Sequence, residues 1–252
     1  MPRPVAYWRV MWREKFMHSL YPPVCLACHW PLVGRRALCA SCNDQLTRTQ
    51  PPSCATCSET FSGEINVASF DCPNCRDQEF AFSFNRSVCV GDELARKMVH
   101  GLKYKGQLWM GVEMAILLAE ALWDTRFDAS WRQAIVVPVP LHWRRQVYRH
   151  FNQADELARP VARRLGLTYL QALRRIRYTT TQTLLSRAQR QKNLRNAFIV
   201  PPRLRRSSQL EGKKIILVDD VFTTGSTVNE CARILKKQAA VEEVAVITFM
   251  RA

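Results

Sequence analysis

Eight of the ten cysteines lie before residue 76, arranged as four Cys-x-x-Cys pairs: Cys25/Cys28, Cys39/Cys42, Cys54/Cys57 and Cys72/Cys75. No other feature of the 252 residues restricts the fold so tightly. A Cys-x-x-Cys turn aims two thiolates at one point, and a second such turn completes a tetrahedral zinc site. Ten residues separate Cys28 from Cys39 and fourteen separate Cys57 from Cys72, gaps that suit a hairpin folding back on itself. The spacing predicts two small zinc ribbons in series. Two pairings are open: first motif with second and third with fourth, or first with third and second with fourth. With four thiolates per site, no coordination position is left for a water nucleophile, so both Zn²⁺ ions read as structural. So short a segment has little core, and the metal supplies much of its folding free energy. Cys89 and Cys231 stand apart; Cys231 shares a helical face with Val228 and Leu235 and reads as a small buried apolar residue.

Metal binding rather than a disulfide framework fits a reducing compartment. The opening stretch MPRPVAYWRVMWREKFMHSL is interrupted by Arg3, Arg9, Arg13, Glu14 and Lys15, and lacks the apolar centre of an export signal. No apolar run approaches the roughly 18 residues a membrane span needs. The expected location is therefore cytoplasmic, with no stable membrane insertion. Trp8, Met11, Trp12, Phe16 and Leu20 recur at helical spacing. They predict an amphipathic helix over 1–20, packed on the rest of the chain or, in the alternative, lying on a membrane surface.

Beyond Cys75 the texture changes to alternating helix and strand patterns. Leu94, Met98 and Leu102 share one face of a helix over 92–103, and Val112, Ala115, Ile116, Ala119 and Leu122 share one over 112–123. AIVVPVP (134–140) is a β-branched run that stops at its prolines. Asn152 reads as a helix N-cap and Gly166 as its terminator, with Pro160 kinking or splitting the helix between them. Ser186 and Gln189 have the spacing of a capping box. KKIILVDD and VEEVAVITFM are strands flanking a helix over 226–238. The pattern predicts an α/β fold: a mostly parallel sheet with flanking helices. The expected division is 1–20 helix, 21–80 double zinc ribbon and 81–252 α/β domain.

In such sheets ligands bind beyond the carboxyl ends of the strands. There the chain reads IILVDDVFTTGST, from Ile215 to Thr227. A strand over 215–218 would end on Asp219 and Asp220, with a helix starting near Ser226. The loop between lies at a helix N-terminus, whose free N–H groups attract phosphate. Gly225 lets the backbone approach closely, and Thr223, Thr224, Ser226 and Thr227 add hydroxyl donors. Two carboxylates beside a phosphate loop make sense if the ligand also carries vicinal hydroxyls or a hydrated Mg²⁺. A ribose 5-phosphate fits both ends.

IILVDDVFTTGST resembles the 5-phosphoribosyl-1-pyrophosphate (PRPP) motif of type I phosphoribosyltransferases. RHFNQADELA from Arg149, the stretch from Thr179 to Phe198 containing QTLLSRAQRQKNLRNAF, and the cysteine-rich double ribbon extend the likeness. Together they resemble the ComF/GntX family, bacterial proteins of competence and DNA utilisation, from about Tyr21 to Met250. His150 departs from the family pattern, which usually carries glycine there. The resemblance implies a type I phosphoribosyltransferase-like domain that binds PRPP with Mg²⁺. It implies that Asp219 and Asp220 hold the ribose hydroxyls or the metal and act in catalysis, and that Thr223, Thr224, Gly225, Ser226 and Thr227 hold the 5′-phosphate. Arg144 and Arg145 would occupy the pyrophosphate loop, and Arg190 and Lys192 the flexible loop that closes over it.

Charge adds a separate clue. From Arg144 to Arg206 there are sixteen Lys or Arg against only Asp155 and Glu156, in a chain of net charge +16. Such asymmetry points to a polyanionic partner. Single-stranded DNA fits, with Arg203, Arg205 and Arg206 outside every PRPP motif position and Tyr148, Phe151, Tyr169 and Tyr178 interleaved as stacking platforms. Core aromatics under a solvated basic surface are the alternative. Two functions are thus expected: a PRPP-binding protein of DNA uptake or utilisation, working with competence-machinery proteins, or an enzyme transferring phosphoribosyl to a small acceptor.

Overall fold

The computed structural model describes residues 24–32, 36–63, 72–104, 108–177 and 193–252. The helix expected over 1–20 and the capping box at Ser186 and Gln189 lie outside them. The chain divides into two compact units, Met1–Leu46 and Thr47–Ala252.

In the first unit Cys25, Cys28, Cys39 and Cys42 converge. Val24 bridges Pro31, and the turn between them closes through the Cys25 and His29 N–H groups, which donate to Trp30 O and Cys25 O at 2.8 Å each. Helix α1 (Ala40–Asp44) is N-capped by Cys39, whose sulfur accepts from the Cys42 N–H at 3.4 Å. Among the described residues of this unit, the buried apolar ones beside the cysteines are Ala37, Leu38 and Leu46, too few to hold a fold alone.

The second unit opens with the other four cysteines, Cys54, Cys57, Cys72 and Cys75, on one point. The pairing is therefore sequential, first motif with second and third with fourth. Within each set the sulfurs lie within 4.8 Å of one another. Sγ–Sγ separations of 3.7 Å (Cys28–Cys39) and 3.8 Å (Cys54–Cys75 and Cys57–Cys72) match the edge of about 3.8 Å that a tetrahedron with Zn–S bonds of about 2.3 Å requires. Both sets fit structural Zn²⁺.

Next, in chain order, come β1 (Phe84–Val90), α2 (Glu93–Tyr104), α3 (Leu108–Glu120), β2 (Ile135–Pro138), α4 (Trp143–Arg149), α5 (Gln153–Leu165), β3 (Thr168–Tyr169), β4 (Arg174–Arg175), β5 (Phe198–Ile199), α6 (Pro202–Arg206), β6 (Lys214–Phe222), α7 (Ser226–Ala239) and β7 (Glu243–Arg251). Five strands form one sheet in the order β1-β7-β6-β2-β3, every pairing parallel; β4 and β5 make a separate antiparallel pair. Ile215 and Leu217, with Ile135, Val137, Val244 and Val246, join one apolar cluster with Val228, Cys231 and Leu235 of α7 and with Cys54, Cys57, Cys72 and Phe82. The second ribbon therefore shares its core with the sheet. The strand residues of the other parity, Val136, Ile216, Ala245 and Ile247, are buried too, and α3 and α5 pack on each other and on the strands.

The sequence patterning misses two parallel strands. β1 carries Asn85, Arg86 and Ser87, which break its apolar run, and β3 is only two residues long. Strand β6 runs on to Phe222 rather than ending before Asp219, because β7 supplies partners as far as Phe222↔Arg251. On α3 the buried face holds Met114, Ala115, Leu117 and Leu118, whereas Val112 is exposed. Helix α5 is unbroken through Pro160; Asn152 caps it by accepting from the Ala154 N–H, and Gly166 ends it at φ 67°. His150 closes α4 in the left-handed region at φ 66°, which accounts for glycine in the family pattern at that position.

The purified chain should carry about two Zn²⁺, measured by elemental analysis under reducing, chelator-free conditions. Cys25→Ser should unfold the first unit and leave the main thermal transition in place. Cys54→Ser should lower that transition, because Cys54 belongs to the core beneath the sheet. Equal effects of the two substitutions would contradict the division at Leu46.

Candidate functional site

Strand β2 stops at Pro138, opposite Val218, and the chain turns away after the Val139 N–H donates to Val218 O at 2.9 Å. Strand β6 continues, so its last residues lose their neighbour on that side. A cavity of about 320 Å³ opens there. Alternate strand residues face opposite ways, so Asp219 and Asp220 cannot point together. Asp220, on one side, lies 2.6 Å from Lys103 Nζ at the end of α2. Asp219, on the other, has Arg175 and Cys231 among its electrostatic neighbours. Both carboxylates line the cavity. Burial first, and then the Asp220 charge, push Asp219 up to about 8; Lys103 opposes the shift.

The loop after β6 is shaped by Gly225, at φ 74°. A Cβ there would lie 2.7 Å from the Phe222 ring and 3.3 Å from that of Phe80, so any other residue would have to push the Phe222 ring aside and adopt a strained backbone. Gly225 is also the N-cap of α7, and its carbonyl accepts from the Asn229 N–H at 2.8 Å. Thr224 and Ser226 share a hydroxyl hydrogen bond of 2.8 Å, while Thr223 and Thr227 line the cavity. The Asn229 side chain accepts from the Ala81 N–H at 2.6 Å, tying α7 to the segment that follows the second ribbon.

Cations face these groups. Arg145 and Arg149 of α4, Arg175 of β4 and Lys103 all line the cavity. Burial first, then Arg145, lower the proton affinity of Arg175. Gln153 is only 4% exposed, lines the cavity, and its Nε2 has no hydrogen-bond partner among the described residues.

Of the residues singled out in the sequence, Asp219, Asp220, Thr223, Thr227 and Arg145 meet at the cavity. Arg144 is exposed on α4 over the Trp143 ring and does not line it. Arg203, Arg205 and Arg206 are exposed on α6, also outside it. Arg190 and Lys192 lie outside the described residues. Lys103, Arg149, Asn152, Gln153 and Arg175 were missed as site residues. Arg149, Asn152 and Gln153 stand in the quoted motif RHFNQADELA, so that motif carried the signal; only three-dimensional packing brings in Lys103 and Arg175.

The phosphoribosyl transferase domain family matches residues 153–252, and the double zinc ribbon domain family matches residues 16–76. Competence protein F of Haemophilus influenzae is 32% identical over 233 residues, covering 90% of this chain and 96% of that one. The chain belongs to the ComF/GntX family. DNA utilization protein YhgH of Escherichia coli is likewise 32% identical, over 87% of this chain and 93% of its own. Competence protein ComFC of Streptococcus pneumoniae is 24% identical over 85% and 87%.

The proton on Asp219 makes folding depend on pH. In the unfolded chain the carboxyl titrates near its ordinary value of about 3.9. Its folded value of about 8 means that the folded state holds the extra proton between those limits. Stability is therefore greatest at the acid end of that window and falls as pH rises towards about 8. Asp219→Asn cannot ionise and should flatten the fall. Thermal midpoints at about pH 5, 7 and 9 check this; parallel curves for the two proteins would contradict it.

Proposed function

We propose that the chain binds PRPP with Mg²⁺ in this cavity and acts in bacterial DNA uptake or DNA utilisation, engaging single-stranded DNA. One observation carries the ligand reading: two carboxylates, two threonines, three arginines, one lysine and an amide without a partner converge on one cavity. A buried polar group lacking a partner costs free energy until a ligand supplies one. The names of the relatives, competence protein F and DNA utilization protein YhgH, support the cellular role.

The 5′-phosphate belongs in the 223–227 loop, held by hydroxyls and by N–H groups of α7. Asp219 and Asp220 accept from the ribose hydroxyls or hold the metal. The fit to Mg²⁺ rests on the two carboxylates, Asp219 and Asp220, that line one cavity, oxygen donors of the kind a hard cation takes. When bound, Mg²⁺ stabilises charge on the departing pyrophosphate. Arg145, Arg149 and Arg175 are the described cations suited to the pyrophosphate, and Arg190 and Lys192 keep the closing role that the resemblance implies. Lys103 neutralises Asp220 until the ligand arrives.

A second reading is transfer of the phosphoribosyl group to a small acceptor. It is favoured by a neighbouring cavity of about 270 Å³ that shares Pro140, Leu141, Asn152 and Arg175 with the first. In that reaction the bond from C1 to pyrophosphate breaks, a bond from C1 to the acceptor forms, and the acceptor loses a proton. Pyrophosphate release with and without nucleobases or ammonia separates the readings: acceptor-dependent release supports the enzyme.

Replacing Asp219 and Asp220 together by Asn should weaken Mg²⁺-dependent PRPP binding by about 1.5–3 kcal/mol per charged hydrogen bond lost, read by titration calorimetry. Unchanged affinity would rule out the ribose role. For the DNA track, each phosphate of a single strand contributes about −0.7 to the log–log salt slope. Arg203, Arg205 and Arg206 changed to Ala should flatten that slope and leave PRPP affinity alone, and an unaltered slope would remove α6 from the track.

A further inference from the structure

Helix α4, WRRQVYR, contains no buried residue. At about 100° per residue its side chains sort into three directions. Arg145 and Arg149 line the PRPP cavity, and Gln146 lines the neighbouring one. The remaining arc, roughly 140° wide, carries Trp143, Arg144, Val147 and Tyr148 outward. Trp143 is 60% exposed, Val147 66% and Tyr148 79%. The helix is held at its base instead of by these side chains: His142 accepts from the Arg144 N–H, and Asn152 Nδ2 donates to Val139 O. The outward residues therefore contribute almost nothing to the core, although exposing large rings to water is unfavourable.

Two exposed rings in this region have guanidinium partners. Arg144 lies over the Trp143 ring at 5.4 Å, and Arg149 lies 4.8 Å from the ring of Tyr104, itself 58% exposed at the end of α2. The helix has three arginines and no carboxylate. It also begins the stretch from Arg144 to Arg206 in which Lys and Arg outnumber Asp and Glu sixteen to two. A neutral apolar partner would satisfy the rings and leave the cations. A partner offering flat π faces joined by phosphates satisfies both.

We infer that the outward stripe of α4, Trp143, Arg144, Val147 and Tyr148, is a stacking platform for single-stranded nucleic acid, with bases on Trp143 and Tyr148 and phosphates on the adjacent arginines. This rests on the reading that the chain engages single-stranded DNA, and adds to it the surface that holds the bases. It also sets the strand on the reverse side of the helix that supplies Arg145 and Arg149 to the PRPP cavity. One seven-residue helix thus serves both ligands.

The test uses the full chain, a fluorescein-labelled oligothymidylate read by anisotropy, and vesicles of phosphatidylglycerol and phosphatidylcholine. The Trp143→Ala/Tyr148→Ala variant should lose about thirty-fold or more in strand affinity, since stacking one base on a ring accounts for tenfold or so each time. Its salt slope should match the wild type, because no charge is removed. The Trp143→Phe/Tyr148→Phe variant should retain most of the affinity, and both should bind PRPP as the wild type does, since neither ring lines that cavity. Affinity of the alanine variant within twofold of the wild type would overturn the proposal while leaving DNA binding through α6 standing. Vesicle binding that the alanine variant loses while strand binding persists would make α4 a membrane face, and would also overturn it. Wild-type chain that binds no strand at all would sink the DNA reading itself, and this inference with it.

Discussion

The Phe222 ring packs so close to Gly225 that one added methyl group would sit 2.7 Å from it. That contact lies where the strand gives way to the loop, and two other parts of the second unit meet the same ring. Phe82 meets it edge-on at 6.0 Å and itself stacks on Phe80. Arg251, the last residue of β7, lies over its face, donates to its carbonyl and pairs with Glu59 beside the second ribbon at 2.5 Å. The ribbon is thus joined to the loop after β6 through one aromatic ring. Loss of metal at Cys54, Cys57, Cys72 and Cys75 would be felt at Thr223–Thr227 with no residue of the loop itself altered.

The two carboxylates show how strand geometry sorts roles. Their adjacency in sequence suggests a single acidic spot. In the sheet they face opposite ways: Asp220 pairs directly with Lys103, whereas Asp219 has Arg175 and Cys231 among its electrostatic neighbours and feels Lys103 and Asp220 through space. Under the proposed reading, a sugar seated across the strand end would meet a carboxylate from each face. The arrangement needs β6 to outrun β2 by a few residues, which it does because β7 extends alongside it and β2 stops at Pro138.

Much of this was legible in the residue pattern, for local reasons. Cys-x-x-Cys spacing, a β-branched run before Asp219 and a glycine among hydroxyl residues are statements about neighbours in sequence, and the structure bears out the ribbons and the parallel sheet. The crossed cysteine pairing could be set aside only with coordinates, because both pairings satisfy the same spacings. Strand β1 escaped because Asn85 and Ser87 are polar, yet both are wholly buried: Ser87 hydrogen-bonds Thr248 at 2.8 Å, and Asn85 donates to Ser87 and to Cys57 O. A polar residue whose partner lies some 160 positions away reads as surface in any short window. Lys103 and Arg175 escaped for the same reason, since helix α2 and the β4–β5 pair reach the cavity only through tertiary packing.

Strand β1 pairs in parallel with β7, Phe84 against Ala245, and β6 lies between β7 and β2. The two strands of the sheet that are made last, β6 and β7, are therefore both interior ones. During translation β2 must wait for β6, and β1 must wait until residues 243–251 of β7 have left the ribosome. The first ribbon closes over fewer than twenty residues and can take up metal early. The cysteines of the second lean on a sheet that does not yet exist, and their thiols stay open to oxidants and to competing metals for most of the time the chain is being made.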